Sequence, residues 1–156
     1  MQTSRKATKT KIHLSIPAKT NYLASIRQLA LDVARSTRLS EDEILDFSLA
    51  VIEASSNAIR HSKSDFVNTV FYVEDGCLTC KVIDKGCGFE PNITKGTFPP
   101  SSKQGGRGIP LMNNLVDAMK IKSQFGYGTE VVLVKSIKKG SRARGPGSRE
   151  KKLTRG

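Results

Sequence analysis

Lys11-Ile-His-Leu-Ser-Ile16 alternates polar and apolar residues, the period-two pattern of a strand buried on one face, and Pro17 ends it. From Asn21 to Arg35 the pattern changes. Leu23, Ile26, Leu29, Ala30 and Val33 recur at helical spacing. Ser40-Glu-Asp-Glu43 then reads as a helix start, with Ser40 as N-cap, an acidic first turn, and Glu43 completing a capping box. The apolar positions Ile44, Phe47, Leu49, Val51 and Ile52 carry that helix to about His61. Asp65 to Val73 returns to strand character, Glu74-Asp-Gly76 makes a hairpin turn, and Cys77 to Ile83 forms the partner strand. Residues 89–104 have three prolines and little periodicity and read as a mobile loop. Gly105-Gly-Arg-Gly108 opens a helix, Leu111 to about Val116, whose first turn tolerates Pro110. A strand near Met119–Gln124, a turn at Gly126-Tyr-Gly128 and a last strand from Thr129 to Ile137 complete the chain's ordered pattern.

The order strand, two helices, hairpin, loop, helix, hairpin predicts an α/β (α+β) two-layer sandwich. Its sheet is mixed or mostly antiparallel and covered on one face by helices. Its 156 residues suit one domain with a real core. The predicted organisation is a basic flexible tail over 1–10, a folded domain over 11–137, and a basic disordered tail over 138–156.

Charge supports these boundaries. The net charge of +12 invites a nucleic-acid reading, but its distribution argues against one. Residues 1–11 hold four Lys/Arg and no acid, and residues 138–156 hold eight Lys/Arg against Glu150 alone. Between them, 14 basic residues face 13 acidic ones, so the folded part is nearly neutral. Aromatics are 6% of the chain and none interleaves with the basic tail residues, so base stacking has no support. Nucleic acid is therefore not the expected partner. No run of about 18 apolar residues predicts a membrane span, and the polar start shows no apolar signal segment. The expected location is the cytoplasm. Cys77-x-x-Cys80 is half of a zinc pattern without a second pair, and in a strand the two point to opposite faces. Reduced, partly buried thiols are the expectation for Cys77, Cys80 and Cys87.

Four short patterns carry candidate chemistry. Glu53 and Asn57 stand at i and i+4 on the second helix, so both point the same way from an otherwise apolar stretch. An amide oxygen can ligate Mg²⁺, and a nearby carboxylate can accept a proton. Asp84-Lys-Gly-Cys-Gly88 follows a strand directly. Its glycines permit close approach of a ligand, and Asp84 could accept from an exocyclic amine such as that of adenine. Gly105-Gly-Arg-Gly108 opens a helix whose free N–H groups and positive dipole end suit a phosphate, with Arg107 adding charge. Gly128-Thr129 precedes the last strand. Taken singly, these patterns also fit a solvated helix edge, two turns and a hinge.

Together, in this order and on these elements, they resemble the GHKL (Bergerat-fold) ATPase superfamily. Its N box matches Glu53 to His61, its G1 box Asp84 to Gly88, its G2 box Gly105 to Gly108, and its final Gly-Thr Gly128-Thr129. The resemblance covers residues 11–137. Compact size, a short lid and the phrase Gly106-Arg-Gly-Ile-Pro-Leu-Met-Asn-Asn-Leu-Val-Asp117 are similar to the stand-alone bacterial anti-sigma factor serine/threonine kinases. That resemblance implies ATP and Mg²⁺ as cofactors, with Asn57 holding the Mg²⁺ and Glu53 as general base. It implies Asp84 on the adenine amino group supported by Thr129, Gly86 and Gly88 flanking the base, and Gly106 and Gly108 at the closing lid. It also implies a homodimer whose partners are a sigma factor and an anti-anti-sigma (STAS-type) protein.

Many members of that superfamily have an arginine shortly before the G2 glycines. Here those positions are Lys103 and Gln104, which leaves Lys103 and Arg107 as the cations for the terminal phosphate. A non-catalytic nucleotide-binding switch acting on a partner such as a phosphatase is the alternative function, although Glu53 is a residue that a pure binder would not need. A histidine kinase half is disfavoured, because His13 lies in a strand and His61 near a helix end, neither suited to a phosphoacceptor hairpin.

Overall fold

A computed structural model describes residues 10–88 and 108–138. The predicted loop 89–104, the glycine run before Gly108 and nearly all of both basic tails lie outside the described residues. The elements are β1 (Lys11–Pro17), a 3-10 turn (Thr20–Tyr22), α1 (Leu23–Arg35), α2 (Glu41–His61), β2 (Phe66–Glu74), β3 (Cys77–Asp84), α3 (Gly108–Leu115), β4 (Ala118–Gln124) and β5 (Gly128–Ser136). Each element expected over these residues is present. The first helix begins later than its periodicity predicts, because Thr20–Tyr22 winds as a 3-10 turn and no side chain caps α1.

The five strands form one sheet in the order β1-β2-β3-β5-β4. All four pairings are antiparallel, so the mixed character left open by the sequence is absent from the described strands. Asp75 and Gly76, both at positive φ, form the two-residue turn of the β2–β3 hairpin. The β4–β5 hairpin folds back so that β5 lies between β4 and β3, which sets Thr129 opposite Asp84.

Helices cover one face of the sheet. Val67, Thr69 and Phe71 of β2, Leu78, Cys80 and Val82 of β3, and Val131 and Leu133 of β5 are buried there. Against them lie Ile26, Ala30 and Ala34 of α1 and Phe47, Val51, Ala54 and Ala58 of α2. The buried stripe of α2 is Ile44, Phe47, Ser48, Ala50, Val51, Ala54, Ser55 and Ala58, recurring at intervals of three and four as a helix face requires. Its C-terminal half is lined by small residues, so the helix axis lies close to the sheet. Ser55 is buried without an unmet donor, since its hydroxyl donates to the Val51 carbonyl at 2.7 Å.

The start of α2 matches its sequence signature. The Glu43 N–H donates to Ser40 Oγ at 3.3 Å, and the Ser40 N–H donates to Glu43 Oε2 at 2.9 Å. Cys80 pairs across the sheet with Phe71 and Leu133 in the core, and burial pushes its thiol far up. Cys77 is partly exposed, Cys87 is exposed, and all three are free thiols.

Removing the cap tests this assignment. Ser40→Ala is expected to lower unfolding free energy by about 1 kcal/mol, while Phe47→Ala, which empties the centre of the core, is expected to lower it by about 3–5 kcal/mol. Urea titrations with unchanged slope would confirm both as native-state losses.

Candidate functional site

Glu53 and Asn57 lie one turn apart on the flank of the buried stripe of α2, and both are half-buried. Facing them is the start of α3. Gly108 is buried, and a Cβ built on it would strike the Glu53 carboxylate and come within 3.0 Å of Asn57 Nδ2. A side chain here would force the Glu53 carboxylate aside, and glycine leaves it in place. Three of the predicted residues, from two of the sequence patterns, therefore meet at one point: a carboxylate, an amide and a helix start.

A second cluster forms where β3 ends. Asp84 is 8% exposed and stands opposite Thr129 of β5. Its Oδ1 accepts the Gly86 N–H at 2.7 Å. Thr129 Oγ1 and Ser123 Oγ of β4 share a hydrogen bond of 2.8 Å, and Ser123 Oγ also donates to the Gly128 carbonyl at 3.3 Å. Asp84, Thr129 and Ser123 thus form a polar row across three strands on the helix-facing side of the sheet. Gly128 (φ +103°) has no room for a Cβ beside the Asp84 carbonyl.

The two clusters are joined by α2. Glu53, Asn57 and His61 follow each other at intervals of four along one helix face. The His61 carbonyl lies against Gly86, where a Cβ would collide with it. The clusters therefore sit at the two ends of one helical face about 12 Å long. Gly88 packs instead on the backbone of the β4–β5 turn, at Gln124 and Phe125. Lys103, Gly106 and Arg107 lie outside the described residues.

Burial pushes the Asp84 carboxyl above the usual aspartate range. The Gly86 N–H, the charge of His61 and the Thr129 N–H pull it back only in part. The carboxylate is thus partly desolvated yet held by fixed donors, a state suited to accepting a hydrogen bond from a neutral amine. A cavity of about 620 Å³ at the other end of the sheet, lined by Ile12, Val33, Arg38, Phe71 and Ile137 among others, contains none of these residues.

Two contributors were missed by reading the sequence. Ser123 looks like any polar strand residue, and only the β4–β5 register reveals it beside Thr129. His61, the last residue of the N-box match, was given no role there; it contributes a backbone carbonyl and a charge, neither of which leaves a sequence pattern.

The sequence pattern of the histidine kinase-like ATPase domain matches residues 16–135. The chain belongs to this family. It is 32% identical over 135 residues to the anti-sigma F factor of Clostridium acetobutylicum, covering 81% of this chain and 94% of that protein. It is 30% identical over 140 residues to the serine-protein kinase RsbW of Bacillus cereus, covering 83% and 86%. A structure of RsbU and RsbW domains from Mycobacterium tuberculosis superposes with a TM-score of 0.64 at 19% identity, over 85% of this chain and 34% of that one. The histidine kinase domain of a blue-light-activated kinase from Erythrobacter litoralis gives 0.52 at 21% identity, over 78% and 62%. The two structures share the fold, which is the Bergerat-type architecture expected from the motifs.

The raised Asp84 carboxyl predicts a pH signature. The folded chain holds its proton above the pH at which the unfolded chain releases it, so stability falls as pH rises through that window. Asp84→Asn, which stays neutral, is expected to abolish this slope and to raise the thermal midpoint at neutral pH. Thermal melts of both proteins between mildly acidic and neutral pH read the difference, and parallel curves would refute it.

Proposed function

We propose that this chain is an ATP-dependent protein serine/threonine kinase acting as an anti-sigma regulatory factor. It binds a sigma factor and phosphorylates an anti-anti-sigma (STAS-type) protein. The observation that carries the reading is the meeting of Glu53, Asn57 and Gly108 in the C-terminal half of α2, with Asp84 and Thr129 near its C-terminal end. The membership of the family and the names of the two bacterial relatives support it.

The layout supports nucleotide binding. Asp84 accepts from the adenine amino group, and Thr129, steadied by Ser123, supports it from β5. The base lies along Gly86, and the phosphates run beside α2 towards Glu53, Asn57 and the start of α3. Lys103 and Arg107 are the candidate cations for the terminal phosphate, and Gly88 and Gly106 complete the loops around the ligand.

Mg²⁺ fits at Asn57. The cradle between Asn57, Glu53 and Gly108 is one that a Cβ at residue 108 would fill. Among the described residues no group of three or more His, Cys, Asp and Glu stands together, so the ion would draw its other ligands from phosphate and water, as Mg²⁺ commonly does. When bound, it neutralises charge on the phosphates. Glu53 accepts the proton of the substrate serine or threonine hydroxyl. The hydroxyl oxygen forms a bond to the γ-phosphorus, and the bond from that phosphorus to the β–γ bridging oxygen breaks, leaving its electron pair on ADP. Such transfer rests mainly on positioning and charge neutralisation, which a sparse set of groups can provide.

The chain works as a homodimer in this reading. Its partners place it in the cytoplasm, and among the described residues no helix is long and apolar enough to cross a membrane.

Calorimetric titration with MgATP tests the site. Binding is expected for the wild type and is expected to be lost in Asn57→Ala and Asp84→Asn. Glu53→Ala is expected to bind ATP while losing phosphoryl transfer to a STAS-type substrate by about 10²–10⁴-fold. ATP binding with equal transfer in wild type and Glu53→Ala would remove Glu53 from the chemistry. Binding with no transfer by the wild type would favour the non-catalytic switch.

A further inference from the structure

Asp84 and Lys135 are the two charged side chains buried among the described residues. Asp84 belongs to the site above. Lys135 is 7% exposed on β5, on the helix-facing side of the sheet, opposite Leu78. An ammonium group in such a place is unfavourable unless it is hydrogen-bonded, and a methionine would fill the same space without that penalty. The Lys135 Nζ donates to the Leu115 carbonyl at 3.0 Å. Leu115 is the last residue of α3, where carbonyls lack partners within the helix and the dipole end is negative. A cation there satisfies an orphan acceptor and meets the favourable end of the dipole.

The consequence lies at the other end of α3. A helix of eight residues has little stability of its own, so its position is set by what holds it. Met112 anchors its underside in the core, at 1% exposure. Its start, Gly108, lies close against the Glu53 and Asn57 side chains. The residues that follow the helix are also fastened: the Asp117 N–H donates to the Val134 carbonyl at 3.0 Å, and the Ser136 N–H to Asp117 Oδ2 at 2.7 Å. These bonds hold the beginning of β4. The Lys135 bond reaches the helix itself and opposes sliding along its axis, the motion that would open or crowd the contact at Gly108.

We infer that Lys135 is a positioning residue for phosphoryl transfer, which clamps the C-terminal end of α3 so that its start meets Glu53 and Asn57 at the right height. It touches neither nucleotide nor protein substrate. The inference rests on the proposed function, in which the phosphates lie at the start of α3 and the base lies at Asp84. Since Asp84 and Thr129 sit on β3 and β5, a displaced α3 affects the phosphate end and spares the base end. A residue that merely stabilised the fold would not separate the two.

The experiment is a pair of titrations, MgATP and adenosine, on the full chain as wild type, Lys135→Met, Lys135→Arg and Asn57→Ala. Lys135→Met is expected to weaken MgATP binding about tenfold, the scale of one lost charge-assisted hydrogen bond, and to leave adenosine within about twofold. Lys135→Arg, which keeps charge and donors, is expected to restore most of the loss. Equal affinities for wild type and Lys135→Met overturn the inference, as does a proportional loss for both ligands. If Lys135→Met lacks a cooperative thermal transition, Lys135→Gln, too short to reach the Leu115 carbonyl, is judged by the same ratio. Loss of MgATP binding in Asn57→Ala beside an unaffected Lys135→Met sinks the inference alone. Absence of MgATP binding by the wild type sinks the proposed function and the inference with it.

Discussion

At Gly108 the start of α3 comes so near α2 that a single added carbon would strike the Glu53 carboxylate and crowd the Asn57 amide. Much of the architecture serves that approach. On one side, α2 must lie close to the sheet, and the small residues Ser48, Ala50, Ala54, Ser55 and Ala58 make this possible. On the other, a short helix must be held in place from outside, through Met112 beneath it and Lys135 at its end. The sheet supplies the common floor, so the heights of both helices are referred to the same strands.

The second polar cluster answers a different physical problem. A carboxylate at the end of β3 is drawn out of water, which disfavours its charge, while the Gly86 and Thr129 N–H groups restore part of what hydration provided. The balance leaves an acceptor aimed by the backbone rather than by a flexible side chain. Antiparallel pairing is what makes this row possible. Because β5 runs between β3 and β4, Asp84, Thr129 and Ser123 come to one level on one face although Asp84 is distant in the chain from the other two.

The helix α2 gives the site its length. Residues at intervals of four keep one heading, so Glu53, Asn57 and His61 mark a line from the carboxylate and amide to the glycine turn after β3. An extended ligand with a flat, amine-bearing end and an anionic end suits such a line, and a nucleotide is a molecule of that kind. The fold thereby separates recognition of the base, built on strands, from handling of the phosphates, built where two helices meet.

Much of this was legible in the chain alone. Period-two and period-three-to-four hydrophobic patterns placed the elements, because burial of one face imposes them locally. The Ser40–Glu43 box and the Asp75-Gly76 turn are also local, set by a few adjacent dihedrals and bonds. Asn57, Glu53, Asp84 and the glycines could be listed as candidates from residue type and spacing. Spacing could not bring Gly108 onto Glu53, because those residues are joined only when both helices pack on the sheet. It could not decide that every described pairing is antiparallel, nor set Asp84 opposite Thr129, since register emerges there from pairing between distant segments. Lys135 was invisible for the same reason. A lysine in a strand reads as solvent-facing until the fold turns it inward and places a helix carbonyl within its reach.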